Sequence, residues 1–105
     1  MTINIATTAP PAPSFAAKVD YATGTTPRDI TSADFNGDGK NDLAATNWNS
    51  NTASVFINNG AGTFAAKVDY TTGTAPIGIT SADYNGDGKP DLAVTNGDVT
   101  TISVF

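Results

Sequence analysis

The chain repeats itself with an offset of 49 residues, and this repeat limits its possible folds more than any other feature. The segment Phe15–Tyr21 recurs unchanged as Phe64–Tyr70. When residues 15–56 are aligned with residues 64–105, 30 of the 42 positions carry the same amino acid. A repeat of this length suits one supersecondary unit, such as a four-stranded propeller blade. Two independent domains are the alternative, but 49 residues without disulfides bury too little surface for that.

Each repeat has the pattern of four short β-strands. Short runs of β-branched and aromatic residues are separated by clusters of Gly, Asn, Asp and Pro, with about ten residues from strand to strand. No window of about 12 residues shows an uninterrupted helical period. The sequence therefore predicts an all-β fold made of two four-stranded antiparallel blades, with strands A, B, C and D at 30–35, 43–47, 53–58 and 64–71.

The order of the predicted strands leaves both blades at the chain ends incomplete. Phe105 corresponds to Phe56, so the second repeat ends after its strand C. A spare strand D, Phe15–Tyr21, stands instead in front of the first strand A. The predicted organisation is an N-terminal Pro-rich extension at 1–14, a first repeat at 15–63 and a second repeat, lacking its last strand, at 64–105.

The N-terminal extension contains few structural signals. Its prolines predict an extended connecting segment. Thr2–Ala6 weakly resembles Thr101–Phe105, which suggests a vestigial strand there. It has no basic residue and no apolar core, so no signal peptide is predicted in this chain. No run of about 18 apolar residues predicts membrane insertion.

The acidic charge is concentrated in two short stretches. All ten acidic residues are aspartates, and the net charge is −5. The stretches Asp34–Asp42 and Asp83–Asp91 each hold three aspartates and one lysine, and together they carry four of the five net negative charges. A nucleic-acid-binding protein would have the opposite charge balance. Because the chain has no His, Cys or Glu, zinc sites built on imidazole or thiolate are excluded.

Within each stretch, side chains with oxygen atoms fall at positions 1, 3, 5 and 9, and glycine stands at position 6. This spacing allows a tight loop to point alternate groups at one hard cation, and the carbonyl at position 7 adds another ligand. With water or a bidentate aspartate, each set reaches the about 6–8 oxygens that Ca²⁺ takes, whereas Mg²⁺ needs strict octahedral geometry. We therefore predict about two Ca²⁺ per chain, held by Asp34, Asn36, Asp38, the Lys40 carbonyl and Asp42, and by Asp83, Asn85, Asp87, the Lys89 carbonyl and Asp91.

Two other interpretations of the aspartate loops are weaker. An EF-hand would need Glu at position 12, where Ala45 and Val94 stand, and helical flanks. An ordinary turn rich in Asn, Asp and Gly would explain a single loop. The presence of two copies in register, each ending in Asp at position 9, favours the metal site.

The sequence around the loops resembles the FG-GAP (VCBS, integrin-α-like) repeat family. Ala33–Ala44 and Ser54–Phe64 carry the resemblance, which covers about residues 15–105 in two tandem copies. It implies a β-propeller blade with Ca²⁺ in the loop between strands A and B, the same ligand positions, and an extracellular or cell-surface setting. The chain departs from the family in holding two blades, because propellers of the family have about seven.

Two blades cannot close a ring, and they leave strand edges unpaired. The edge of strand C at Thr101–Phe105 has its natural partner in Phe15–Tyr21 of another copy. We therefore expect a head-to-tail homo-oligomer, a trimer with six blades or a tetramer with eight.

A binding module is favoured over an enzyme. The loop aspartates are better explained as metal ligands, and the repeat-equivalent Asp20 and Asp69 as solvated or hydrogen-bonded strand residues. With Asp29 and Asp98 they are the only carboxylates left for a catalytic pair. A polysaccharide-acting lyase or hydrolase module is one alternative, and a purely structural or engineered propeller fragment without a ligand is another.

The loop that differs most between the repeats, residues 48–51, contains the only tryptophan. Stacking of a sugar ring on Trp48, with Asn47 and Asn49 bonded to its hydroxyls, would make the module lectin-like and its partner a glycan or protein. Alternatively, Trp48 covers the hairpin between strands B and C or packs between blades. The nearby Arg28 and Asp29 are expected to form an ion pair or a solvated turn.

The apolar layers between the blades are expected to come from the aromatic, valine and leucine positions of the two repeats: Phe15, Val19, Leu43, Val55, Phe56, Phe64, Val68, Leu92, Val104 and Phe105.

Overall fold

The computed structural model describes residues 10–105, and these residues form seven β-strands and no helix. The strands are β1 Pro27–Ala33, β2 Asp42–Asn47, β3 Thr52–Phe56, β4 Val68–Thr71, β5 Pro76–Ala82, β6 Asp91–Asn96 and β7 Ile102–Val104. The vestigial strand predicted at Thr2–Ala6 lies outside the described residues. Within residues 10–105, no helix is long and apolar enough to cross a membrane.

The strands form two open antiparallel sheets, with the orders β1-β2-β3-β4 and β5-β6-β7. Each sheet is a meander in which consecutive strands pair, as in a propeller blade. The first blade is complete, and the second ends at its third strand. The predicted all-β fold of partial propeller blades is therefore confirmed.

The observed strand bounds differ from the predicted ones mainly at strands A and D. Strand β1 begins at Pro27 because Pro27 pairs with Asn47 across a bulge that precedes the next pair, Ile30 with Ala45. Strand β4 begins only at Val68, because Phe64 makes a single bridge to Asn58 and residues 65–67 belong to no strand, although the Ala65 N–H still donates to the Ile57 carbonyl. Strands B and C lie within one or two residues of their predicted bounds.

The main core lies between the two blades and draws on both of them. It consists of small and branched residues: Ala44, Ala53, Val55, Ile79, Leu92 and Val94. Ile79 is 8% exposed in this core, whereas its repeat equivalent Ile30, on the outer face of the first blade, is 59% exposed.

Several residues expected in the apolar layers are exposed instead. Phe15 is 92% exposed and Val19 is 68% exposed, and Val68, Val104 and Phe105 are exposed as well. Phe15 and Val19 lie on a segment without strand structure, and the other three lie on or next to the edge strands β4 and β7, which residues 10–105 cover on one side only. Val55, Phe56 and Leu92 are buried, as predicted.

The spare strand D predicted at Phe15–Tyr21 is not a strand in the structure. A β-strand requires a partner for its main-chain groups, and none of the described residues supplies one here. Its last residue nevertheless packs on the first blade, because the Tyr21 ring lies 5.5 Å from Phe64 and 6.5 Å from Phe56. The Tyr21 hydroxyl oxygen also accepts a hydrogen bond from the Phe64 N–H at 3.2 Å.

Candidate metal centres and the variable loop

Each aspartate loop connects the first strand of its blade to the second. Asp34 directly follows β1, and Asp42 is the first residue of β2. In the second blade, Asp83 follows β5 and Asp91 opens β6. The antiparallel pairing of these strands brings the first and last aspartates of each loop to the same end of the sheet.

The carboxylates of each loop converge on one point. One oxygen from each of Asp34, Asp38 and Asp42 lies within 4.8 Å of the others, and the same holds for Asp83, Asp87 and Asp91. Calcium binds oxygens at about 2.3–2.6 Å, so ligands on opposite sides of one ion are about 5 Å apart. The three carboxylates of each loop therefore have a spacing that suits a single Ca²⁺.

Main-chain hydrogen bonds hold the first loop in this shape. The Asp34 carboxylate accepts hydrogen bonds from the N–H groups of Gly37 (2.9 Å), Asp38 (3.1 Å) and Gly39 (2.6 Å). Asp38 in turn accepts from the Lys40 N–H at 2.9 Å. In the second loop Asp83 makes the equivalent contacts, at 2.8, 3.2 and 2.9 Å. A carboxylate has about four acceptor sites, so these three bonds leave about one lone pair on each of Asp34 and Asp83 for a cation.

Glycine is required at two positions of each loop. Gly37 and Gly39 have φ angles of 76° and 84°, and Gly86 and Gly88 have φ angles of 74° and 86°. Other residues rarely adopt these left-handed angles because the Cβ atom approaches the following carbonyl. The two glycines on either side of the middle aspartate therefore allow the chain to turn tightly around the point where the carboxylates meet.

The last aspartate ties the first loop to the rest of the blade. Asp42 is 0% exposed, and its two carboxylate oxygens accept from the Phe35 N–H at 2.9 Å and the Asn58 N–H at 2.8 Å. Asp91 is half-buried and accepts from the Tyr84 N–H at 3.0 Å. The first site is consequently anchored on the turn after β3 as well as on its own loop.

The middle carboxylates are held in the charged form. The main-chain N–H of Lys40 lowers the pKa of Asp38 below its usual range, and the N–H of Lys89 does the same for the pKa of Asp87. A hydrogen bond from the side chain of Asn36 or Asn85 acts in the same direction. A hard cation needs deprotonated oxygen ligands, and these two carboxylates meet that need at neutral pH.

The remaining predicted ligands lie in the same loops. The side chain of Asn36 donates to Asp38 at 3.3 Å, and that of Asn85 donates to Asp87 at 3.5 Å. Lys40 and Lys89 are exposed at the predicted position between the second and third carboxylates. Coordination of Ca²⁺ by the carboxylates, by the amide oxygens and by the lysine carbonyls stays a prediction.

The three predicted sugar-binding residues, Asn47 at the end of β2 and Trp48 and Asn49 in the variable loop, lie in different environments. Trp48 is half-buried, and the guanidinium carbon of Arg28 lies 4.9 Å from the centre of its ring. Asn49 is exposed and donates from its side chain to the Thr26 hydroxyl at 2.8 Å. Asn47 is 0% exposed, so a glycan cannot reach its side chain in this structure.

Asn47 instead organises the interior of the first blade. Its side-chain oxygen accepts from the Gly24 N–H at 3.0 Å, and its side-chain nitrogen donates to Thr52 at 3.1 Å and to Ser54 at 2.7 Å. The Ser54 hydroxyl then donates to Asp69 at 2.7 Å. Sequence reasoning missed this role, although the identity of Asn47 and Asn96 at the same position of both repeats was a signal for it.

Contacts between the blades use the bulge in β1. The Asp29 N–H donates to the Thr46 hydroxyl oxygen at 3.1 Å, and this hydroxyl donates to the main-chain oxygen of Ile77 at 2.8 Å. The Asp29 carboxylate accepts from the Ile79 N–H at 3.1 Å. Asp29 thus bonds to the second blade, and Arg28 stacks on Trp48, so the ion pair expected between Arg28 and Asp29 is replaced by contacts to other groups.

Comparison with known proteins identifies the repeat. No curated protein and no solved structure matched the chain. The sequence model of the FG-GAP-like repeat matches residues 34–94, which is more than half of the chain. The match begins at the first aspartate loop, includes the second and ends within β6. The chain therefore belongs to the FG-GAP-like repeat family.

Proposed function

We propose that the chain is a calcium-binding β-propeller module that completes its propeller by head-to-tail self-association and acts as a binding or adhesion scaffold. FG-GAP-like repeats are generally non-enzymatic structural or binding units and typically occur in extracellular proteins. An extracellular or cell-surface location is therefore part of the proposal.

The observation that carries the proposal is the convergence of three carboxylates in each loop, repeated in both blades. Three negative charges within a few ångströms repel one another unless a cation lies between them. Binding two Ca²⁺ would change the net charge of the chain from −5 to −1. Calcium binding should therefore be coupled to the stability of the fold.

Isothermal titration calorimetry on chelator-treated protein tests the calcium proposal. We expect heat of binding for about two Ca²⁺ per chain, and a melting temperature that rises with calcium concentration. At a calcium concentration 100 times Kd, one such site adds about 2.7 kcal/mol of stability. An equal concentration of Mg²⁺ is the control and should give weaker binding. Absence of heat together with an unchanged melting temperature would overturn the proposal.

A carbohydrate is the ligand that the variable loop suits best. The half-buried Trp48 ring and the exposed Asn49 amide are neighbours in the chain, and a sugar would use the ring face away from Arg28 and the amide oxygen that Asn49 does not use toward Thr26. Glycan-array binding that is lost in Trp48→Ala and kept in Asp98→Asn, a surface control, would support this assignment. An array without binding would favour a purely structural scaffold, and turnover of a polysaccharide would favour an enzyme module.

A further inference from the structure

In the first blade, the outer edge of the third strand, β3, is covered by a fourth strand, β4. Strand β4 pairs with β3 so that Val68 lies opposite Val55 and Asp69 lies opposite Ser54. The Ser54 hydroxyl donates to the Asp69 carboxylate at 2.7 Å across this pair. The fourth strand therefore supplies both main-chain pairing and a specific acceptor for the serine.

Strand β7 is the repeat equivalent of β3 but pairs only with β6 among the described residues. Ser103 takes the place of Ser54, and its oxygen accepts from the Asn96 side chain at 3.0 Å, as Ser54 accepts from Asn47. Ile102 and Val104, on either side of it, are 66% and 57% exposed. The outer edge of β7 therefore offers an equivalent serine and exposed side chains to a strand equivalent to β4.

The segment Phe15–Tyr21 has the sequence that this edge requires, because it is identical to Phe64–Tyr70. Asp20 therefore corresponds to Asp69, and Lys18, which bonds to Asp20 at 2.8 Å, corresponds to Lys67. The side chains of Lys18 and Asp20 are 83% and 79% exposed. The side chains of Lys18 and Asp20 are thus accessible, and Asp20 is an acceptor of the kind that the Ser103 hydroxyl lacks among residues 10–105.

Tyr21, the last residue of the segment, already lies where the equivalent tyrosine of a preceding blade's fourth strand would lie. Tyr70, in β4 of the first blade, packs edge-on against Phe105 of the second blade at 6.1 Å. Tyr21 packs edge-on against Phe56, the repeat equivalent of Phe105, at 6.5 Å. The relation of Tyr21 to the first blade thus repeats the relation of Tyr70 to the second.

We propose that residues 19–21 of a second copy complete β7, with Val19 opposite Val104, Asp20 opposite Ser103 and Tyr21 opposite Ile102. This register is the one in which β3 and β4 pair, with each residue replaced by its equivalent in the other repeat. The inference rests on the self-association that forms part of the proposed function, and adds to it the register and the Asp20–Ser103 contact.

The faces of the blades fit the same arrangement. Thr46 links the blades by donating to the Ile77 carbonyl, and its repeat equivalent Thr95 accepts from the Gly78 N–H at 2.8 Å. By repeat symmetry, the Thr95 hydroxyl donates to the Arg28 carbonyl of the second copy. In this arrangement the second blade of one copy would cover Ile30 of the other copy, which is 59% exposed, just as the first blade covers Ile79 within one chain.

Disulfide cross-linking tests the register directly, because the chain has no cysteine of its own. Residues directly opposite in an antiparallel pair have Cβ atoms about 4.5–5.5 Å apart, which a disulfide can bridge after a small adjustment. One chain carrying Ser103→Cys is mixed with another carrying Asp20→Cys, in the presence of calcium and a mild oxidant. The positive control is Ser54→Cys with Asp69→Cys in one chain, the repeat-equivalent pair. The register control replaces Asp20→Cys with Val19→Cys.

We expect the Ser103→Cys and Asp20→Cys mixture to give at least tenfold more disulfide-linked dimer than the register control. Peptide mass mapping should locate the bond between these two positions. The proposal is overturned if the positive control forms its bond while the mixture gives no more dimer than the register control.

Sedimentation of the unmodified chain distinguishes this failure from failure of the proposed function. An oligomer without the specific cross-link would overturn the register and leave self-association standing. A folded monomer would overturn both. Calcium calorimetry is independent of either outcome.

Discussion

The side-chain oxygen of Asn47 accepts a hydrogen bond from the main-chain N–H of Gly24 at 3.0 Å. In the second blade Asn96 makes the same bond with Gly73, also at 3.0 Å. The side chain of each asparagine donates to a serine on the next strand and to a threonine two residues before it. The asparagine thus fastens the segment that enters each blade to the middle strands of that blade.

Replacement of Asn47 by alanine should destabilise the fold by at least about 2 kcal/mol, because it removes hydrogen bonds to the buried Ser54 and to the half-buried Gly24 and Thr52, and a buried group left without a hydrogen bond costs about 1–3 kcal/mol. Urea unfolding at fixed calcium concentration measures the change. Asn49→Ala is the control, since it removes one exposed hydrogen bond and should cost under about 0.5 kcal/mol. Equal effects of the two substitutions would contradict the structural role of Asn47.

Gly73→Ala should also be destabilising, by about 1–3 kcal/mol. An added Cβ would stand 2.6 Å from the side-chain carbon Cγ of Asn96, closer than atoms can approach without a shift. The cost should nearly disappear in an Asn96→Ala background, where the clashing group is absent. A double-mutant cycle by urea unfolding checks this coupling, and additive effects would show that the steric explanation is wrong.

Asp38→Asn and Asp87→Asn should each remove one calcium site and keep the other. Each substitution removes one of three carboxylates from a separate loop, and the other loop keeps its own hydrogen bonds. Calorimetry should then give about one Ca²⁺ per chain instead of about two. Asp98→Asn, which lowers the negative charge equally outside the loops, should leave the number of sites unchanged. A loss of both sites in either single variant would show that the loops are not independent.

Asp69 should make stability depend on pH in the acid range. Hydrogen bonds from the Lys67 ammonium group and then from the Ser54 hydroxyl lower the pKa of Asp69 below its ordinary value of 3.8. A lowered folded-state pKa adds stability that is present above pH 3.8 and is lost as the pH falls through the folded-state value. The stability advantage of the unmodified chain over Asp69→Asn should therefore be full at pH 6 and shrink below pH 3.8.

Thermal melts of both proteins at pH 6 and at pH 3 measure this difference. Asp98→Asn is again a charge-matched surface control. A difference between the unmodified chain and Asp69→Asn that stays constant over this range would contradict the prediction.

The sequence predicted the all-β blades because local signals decide them. Strands B and C combine β-branched residues with turn residues at both ends, and their partners lie close in the sequence. The aspartate loops were equally predictable, because the glycines with left-handed angles and the three aspartates are all local. The structure brings the carboxylates of Asp34, Asp38 and Asp42 together as their spacing predicts.

The features that the sequence did not predict depend on contacts between residues that are far apart in the chain. Phe15–Tyr21 has the same residues as a segment that ends in β4, but it forms no strand, because pairing is decided by what lies across the sheet. Asn47 lies beside the variable loop in sequence, but its side chain points into the blade, where Ser54 and Gly24 surround it. The stacking of Arg28 on Trp48 likewise depends on the bulge that sets the course of β1.

The Asp29 carboxylate that bonds to the Ile79 N–H has no equivalent in the second blade, where Gly78 occupies the same position. In a ring of such chains, the joint within a chain would therefore hold one charged hydrogen bond that the joint between chains lacks. Stronger and weaker interfaces between blades would therefore alternate around the ring. On dilution such a ring would dissociate at the interfaces between chains, and each chain would dissociate and reassociate as an intact pair of blades.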